Sequence, residues 1–194
     1  CVARGKAVLD GGAGYLGGTL ETYGNINAAD SLAAVKYWVF DKKKYTLRQI
    51  VDAAGKNFEG EERLRRDLLA APKYGNDDPY ADDIAVSLHE YICRKVSDQA
   101  KPNGFHSYNV VVINNQVNTE WGRMTSASAD GRLSSMYMNN GNNPQGGADK
   151  NGPTAMLNSL VKLRTDIHAG SVQNMKFSRS MFTQKRDQVN ALLK

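Results

Sequence analysis

Residues 69–84, Leu-Ala-Ala-Pro-Lys-Tyr-Gly-Asn-Asp-Asp-Pro-Tyr-Ala-Asp-Asp-Ile, stop one helix and start another within a short span. Pro72 has no N–H to offer a helix interior and pushes Ala71 toward extended backbone, so the run through Leu64 and Leu68 must end there. Gly75-Asn76 then supplies residues that tolerate positive φ. Asp78 is placed to cap the next helix and Pro79 suits its first position. Asp82 and Asp83 fall in its first turn, where the helix dipole favours negative charge. Taken alone, Asp77, Asp78, Asp82 and Asp83 cap and solubilise a helix start.

Outward from this junction, helical spacing recurs on both sides. Upstream, a helix is expected over about 60–71. Another is expected over 47–54, with Leu47, Ile50, Val51 and Ala54 on one face, Thr46 and Gln49 forming a capping box and Gly55 ending it. A helix over 28–39 is expected with Asn27 as its cap, Leu32, Val35 and Val39 on one face, and Lys42 to Lys44 at its end. Residues 5–25 are rich in glycine and read as loop or tight turns. Downstream, Ile84, Leu88, Tyr91 and Ile92 predict the core face of a helix over 79–96, with His89 and Cys93 on its flank.

The second half changes character. Tyr108 to Ile113 reads as a short buried strand, and Ala169 to Phe177 as another, on which Gln173 and Asn174 point to opposite faces. Between them lies a polar stretch, 118–152, too long for an ordinary connection and therefore expected to be either functional or disordered. Within it, Asp130-Gly131-Arg132 reads as a surface turn. Pro153 opens a helix whose apolar face is Met156, Leu157, Leu160, Val161 and Leu163. Phe182, Val189 and Leu193 place a last amphipathic run at the end of the chain.

The chain has 194 residues, 41% of them hydrophobic, enough for one domain with a core of ordinary size. Its net charge is +5, but the basic residues are scattered among 20 acidic ones. Lys42-Lys43-Lys44 and Arg63 with Arg65-Arg66 are the only basic runs, which argues for solvated helix ends over nucleic-acid binding. No apolar run is long enough for a membrane span, and the first residues lack the apolar stretch of a secretory signal. Two cysteines, Cys1 and Cys93, do not make a disulfide framework, and a reducing cytoplasmic setting is expected. The three histidines are dispersed and no metal-ligand spacing occurs, so His89 with Cys93 is not read as a site. Gly11-Gly12-Ala13-Gly14 lacks the strand and the Lys-Ser/Thr of a phosphate loop. Cys1 as an N-terminal nucleophile has no second base or oxyanion donor marked in the sequence.

Three strings in order, APKYGNDDPYADDIA (71–85), SADGR (128–132) and DKNGPTAMLNSLVKL (149–163), resemble the glycyl radical enzymes of the pyruvate formate-lyase type. The upstream string GGAGYLGG with NINAADSLAAVKYWVFDKKKYTL, within 11–47, fits the same family, so the resemblance covers nearly the whole chain. One departure is Ala129, where the family usually has Pro before Asp-Gly-Arg, leaving that turn less preset.

The resemblance implies an α/β chain that is part of a ten-stranded β/α barrel, a single partial domain over 1–194. It implies a lyase, dehydratase or formate acetyltransferase in which a glycyl radical generates a cysteine thiyl radical. The glycine is activated by a separate enzyme that uses S-adenosylmethionine and an iron-sulfur cluster. The family's Arg-Val-x-Gly-Tyr motif is absent from this sequence and is expected beyond residue 194; the cysteine loop is expected before residue 1, so Cys1 is not read as the radical cysteine. No catalytic residue, metal ligand or bound cofactor is therefore assigned to this chain. The implied substrate-lining residues are Leu20, Glu21, Thr22 and Tyr23, just before the first long helix, with Gln173 and Asn174. The implied partners are the rest of the parent polypeptide, the activating enzyme, a small-molecule substrate and a second copy of the parent, without membrane or nucleic acid. A catalytically inert binding or scaffold module of the same fold, and a basic nucleic-acid-binding protein, stay open as alternatives.

Overall fold

A computed structural model describes residues 1–113 and 116–192. The fold is mixed α/β. Three strands, β1 (Gly17–Glu21), β2 (Ser107–Val112) and β3 (Gly170–Ser171), form one all-parallel sheet in that spatial order. β1 pairs with β2 from Gly17↔Ser107 to Glu21↔Val111, and β2 pairs with β3 through Val111↔Gly170 and Val112↔Ser171.

β1 corrects the expected loop over 5–25. Its glycines are packing residues: a Cβ at Gly17 would lie 2.9 Å from Ser107 Oγ, and one at Gly18 would lie 2.8 Å from Tyr108 Cδ2. Glycine that admits a neighbouring side chain leaves the same trace in sequence as glycine that frees a turn. The strand expected over 169–177 is also corrected, because pairing stops at Ser171. Val172 still donates to Val112 O at 3.2 Å. Beyond it the backbone is held by amide side chains instead, with Asn143 Nδ2 donating to Asn174 O at 3.1 Å.

Helix α1 (Asn25–Val35) runs on into a wider turn over Lys36–Asp41. Its cap is Gly24 at φ 69°, not Asn27, which lies inside the helix and is buried. The buried face is Ile26, Asn27, Ala29, Asp30, Ala33 and Ala34, whereas Leu32 is 51% exposed. α4 (Pro79–Ser97) departs from expectation in the same way: Ala81, Asp82, Ala85, His89, Cys93 and Val96 are buried, and Tyr91 is exposed. The two helices pack against each other. Alanines allow a close approach, so the large residues Ile84, Leu88 and Ile92 are moved to the half-buried margins.

α2 (Leu47–Gly55) has the expected capping box: Gln49 N donates to Thr46 Oγ1 at 3.2 Å and Thr46 N to Gln49 Oε1 at 2.8 Å. Ile50 and Ala53 are buried, but Leu47 and Val51 are exposed. The chain leaves the helix through Asn57 and Phe58, both at positive φ, rather than at Gly55. α3 (Glu62–Ala70) contributes Leu64 and Leu68 to the cluster with Ala34, Ile50, Phe58 and Ala71. α5 (Val117–Arg123) lies inside the expected polar loop. α6 (Gly152–Lys162) buries Met156 and Ser159 while Val161 is exposed. The last expected run is two helices, α7 (Arg179–Gln184) and α8 (Arg186–Leu192), broken at Lys185. Phe182 is exposed and Val189 buried, so they do not share one face; Leu193 lies outside the described residues.

The junction matches its reading in most details. Ala71 is extended at ψ 156°, Gly75 has φ 94°, and Asp78 Oδ1 accepts from Tyr80 N at 2.9 Å. The second positive φ falls on Asp77, not Asn76. Asn76 instead ties the junction to the later loop, accepting from Lys150 N at 2.7 Å and donating to Ala148 O at 2.8 Å. Asp78→Ala is expected to cost about 0.5–2 kcal/mol of unfolding free energy, the worth of a helix cap, measured by urea denaturation.

Candidate functional site

All three strands are parallel, so their carboxyl ends lie on one side of the sheet, where open and closed α/β sheets place their ligand-binding loops. The two groups of expected substrate residues both emerge there. Leu20 and Glu21 end β1 and are exposed. Thr22 N donates to Val111 O at 3.1 Å, and the half-buried Tyr23 ring lies 6.3 Å from that of Trp121 on α5. Burial and the adjacent Glu21 carboxylate, which its hydroxyl contacts, push the Tyr23 pKa up to about 12, so it stays a hydrogen-bond donor. Beyond β3, Gln173 donates from Nε2 to Met156 Sδ at 3.6 Å while its Oε1 has no partner. Asn174 donates to Asn140 Oδ1 at 2.9 Å.

The loop after α5 forms part of the wall of a cleft of about 830 Å³. Asn118, Met138, Asn139, Asn143, Met156 and Asn174 line it. Of the expected residues, Asn174 lines this cleft, whereas Gln173 and residues 20–23 do not. Gly24 connects the two sides: a Cβ there would lie 2.9 Å from Met138 Sδ, and Asn118 Nδ2 donates to Met138 O at 2.9 Å.

The sequence did not mark the group that positions this loop. Asn27 of α1 accepts from Asn139 N through Oδ1 at 2.8 Å and donates from Nδ2 to Asp130 Oδ2 at 2.8 Å and Gln145 Oε1 at 3.0 Å. Asp130-Gly131-Arg132, expected on the surface, is buried at both charged residues. Arg132 donates to Met136 O at 2.8 Å, Leu133 O at 3.1 Å, Ser126 O at 2.5 Å and Ser128 Oγ at 3.2 Å. Ser128 N and Gly131 N close the turn, and Asp130 N donates to Ser31 Oγ at 3.1 Å, supplying the constraint that Ala129 does not. The only trace in sequence is a pair of polar residues, Asn27 and Asp30, at spacing that puts them on the buried side of a helix.

Asp30 is 1% exposed. Its Oδ1 accepts from Tyr74 N at 2.9 Å and its Oδ2 has no partner. Burial raises its pKa from 3.8 to about 7, against the opposing pull of Lys73 and the Tyr74 amide; the Asp130 and Asp82 charges add to the rise. The folded state therefore holds this proton to higher pH than the unfolded chain, and the stability it contributes is full below 3.8 and lost as pH rises through about 7. Asp30→Asn mimics the protonated form. Its Tm relative to the native chain is expected to rise steadily between about pH 4 and about pH 8, and a pH-independent difference would reject this assignment.

His89, Cys93 and His168 are brought together, with the two imidazoles 5.2 Å apart and Cys93 Sγ 3.7 Å from His89 Nε2. Cys93 and His89 are buried in the helix rather than on its flank. Burial lowers both histidine pKa values, and among the described residues no group of three or more such side chains, this one included, is arranged to hold a metal ion. The basic runs are partly engaged internally, Lys44 with Asp67 at 2.6 Å and Arg65 Nε with Gly131 O at 2.9 Å. No helix among the described residues is long and apolar enough to cross a membrane.

A family model described as pyruvate formate lyase-like matches residues 1–120, and one described as glycine radical matches residues 138–194. The trans-4-hydroxy-L-proline dehydratase of Clostridioides difficile is 34% identical over 93% of this chain and 23% of its own length. The (2S)-3-sulfopropanediol dehydratase of Klebsiella oxytoca is 36% identical over 91% of this chain and 22% of its own. The glycerol-bound B12-independent glycerol dehydratase of Clostridium butyricum superposes with a TM-score of 0.89 at 33% identity, over 98% of this chain and 24% of that one. The chain thus spans about a quarter of the length of the relatives it matches.

Proposed function

The chain belongs to the glycyl radical enzyme family, and on that premise we propose that it forms one wall of a ten-stranded β/α barrel in a radical lyase or dehydratase. The observation that carries the reading is the convergence of residues 20–23 and 173–174 on the carboxyl side of one parallel sheet. A parallel sheet is stable only when both faces are covered, yet β1 is a largely exposed strand with a free edge, as expected of a piece whose neighbours come from elsewhere in a longer polypeptide. Residues 1–194 are one partial domain in this reading. Both radical residues lie in other parts of the parent, a cytoplasmic homodimer charged by an activating enzyme that uses S-adenosylmethionine and an iron-sulfur cluster. Neither membrane nor nucleic acid is among its partners.

In this site Tyr23 donates its one hydroxyl proton to Glu21 and offers its phenolic oxygen as acceptor to a substrate hydroxyl, and Gln173 offers an unpaired carbonyl oxygen. Asn174 and Thr22 shape the rim, and Leu20 supplies an apolar side. The relatives' names point to small polar substrates that lose water or sulfite.

The test is made on the full-length parent, activated anaerobically and offered trans-4-hydroxy-L-proline, (2S)-3-sulfopropanediol, isethionate and glycerol in turn. Tyr23→Phe and Gln173→Ala are expected to keep the glycyl radical doublet in electron paramagnetic resonance while kcat/KM falls about tenfold or more. Full turnover by both variants would remove these residues from the site. The 194-residue chain alone, treated in the same way, is expected to give no doublet, and a doublet from it would place the radical glycine within this sequence.

A further inference from the structure

A second hollow, of about 480 Å³, lies on the other side of the Gln145–Ala148 turn from the cleft. Its walls are the end of α3, the junction, the Asp130-Gly131-Arg132 turn and residues 145–151. Seven charged side chains line it: Asp30, Arg65, Lys73, Asp78, Asp130, Arg132 and Lys150. What such a hollow binds depends on which of these still have hydrogen-bonding capacity to offer.

Arg132 and Asp130 have little left. Four acceptors take the Arg132 guanidinium, while Asp130 accepts from Asn27, Ser128 Oγ and Arg132 N. Asp78 caps α4. The neutral polar side chains are also occupied: Asn76 makes bonds from both ends, and Gln145 bonds Asn27 and Tyr137 O. The unspent groups are mostly cationic. Lys73, only 8% exposed, gives one of its three protons to Leu68 O at 2.6 Å. Arg65 uses Nε on Gly131 O and leaves both terminal nitrogens without a described acceptor. Lys150 has no described side-chain partner, and its charge is felt at Lys73.

We propose that this hollow is a binding site for a small anion carrying a carboxylate or phosphate group, held by Lys73 at its base and by Arg65 and Lys150 at its rim. The anion would relieve the repulsion between Lys73 and Lys150 and take the two free Lys73 protons, in a setting where charge-assisted bonds are strong. Burial, the largest influence, and Lys150 both hold Lys73 below the ordinary lysine range, against Asp30 and Asp130; bound negative charge opposes that depression. Asp30 Oδ2, unpartnered in the same wall, donates to the anion in its protonated form. The occupant would brace the Gln145–Ala148 turn that separates this hollow from the cleft.

The experiment is a titration of the whole chain, by calorimetry at constant ionic strength, with inorganic phosphate in one arm, sodium acetate in another and sodium chloride as control. Saturable binding of about one equivalent in at least one of the first two arms, and none with chloride, is expected. Phosphate alone assigns a phosphoryl ligand, acetate alone a carboxylate, and both the shared chemistry. Lys150→Met is at an exposed position and leaves the fold intact. It is expected to weaken binding about fivefold or more, and Lys73→Met, if folded by circular dichroism, to abolish it. No saturable response in either of the first two arms, or binding unchanged in Lys150→Met, overturns the proposal.

Discussion

Gly75→Val is expected to lower the unfolding free energy by about 3–5 kcal/mol, the sum of backbone strain at positive φ and overpacking. Gly75 has φ 94°, which a β-branched residue adopts poorly, and a Cβ there would lie 2.9 Å from Pro144 Cβ and nearer still to its Cγ. The two causes are separable. Pro144→Ala removes most of the obstacle but leaves the dihedral angle as it is, so in the pair Gly75→Ala and Pro144→Ala the double variant is expected to recover only the steric part. Urea denaturation of the four proteins gives the coupling energy directly. A purely additive cycle would mean that the junction does not press on the 144–148 turn, and a Gly75→Val protein as stable as the native chain would remove the structural role of this glycine altogether.

Lys162→Met should be the next most damaging change, although it removes a lysine that is 32% exposed. Lys162 Nζ sits 2.6 Å from Asp77 Oδ1 and 2.7 Å from Asp82 Oδ2, and Asp82 is fully buried. Without the lysine, the Asp82 carboxylate keeps only the Ser159 hydroxyl, at 2.9 Å. Breaking a fully buried pair costs about 3–5 kcal/mol, and the partial exposure of the lysine reduces the expectation here to about 2–3 kcal/mol. Asp82→Asn together with Lys162→Met should cost less than the sum of the two single changes, because Asp82→Asn removes the carboxylate that Lys162→Met leaves without its partner. Lys36→Met is the comparison: Lys36 and Asp41 are paired at 3.0 Å but are 52% and 41% exposed, so its loss is expected to cost much less than that of Lys162. Equal effects of the two lysine variants would show that the Lys162–Asp82 pair contributes no more than a solvated one.

These residues mark where reading the sequence succeeds. Pro72, Gly75, Asp78 and Pro79 act through their own backbone geometry, so the end of α3 and the start of α4 were determined locally, as was the Thr46–Gln49 capping box. Family membership was legible from three strings found in order along the chain, without any knowledge of how they pack. The choice of buried face on α1 and α4 was not legible. Periodicity assigns the largest apolar side chains to the core, but two helices that meet closely bury Ala29, Ala33, Ala81 and Ala85 and leave Leu32 and Tyr91 at the surface. β1 escaped notice because its glycines make room for Ser107 and Tyr108, residues about ninety positions away.

The polar core went unread for the same physical reason. Nothing within a few residues of Asn27, Asp30 or Asp82 distinguishes a buried side chain from a solvated one; their burial is tolerable only because Asn139, Tyr74 and Lys162 arrive from elsewhere in the chain to bond them. Residues 20–23 and 173–174 were named from the family resemblance, but that they emerge on one side of one sheet was decided by parallel pairing through β2. Local sterics and capping are written in adjacent residues and were determined by the sequence itself. Close packing and the satisfaction of buried polar groups are properties of pairs distant along the chain, and only the tertiary structure decided them.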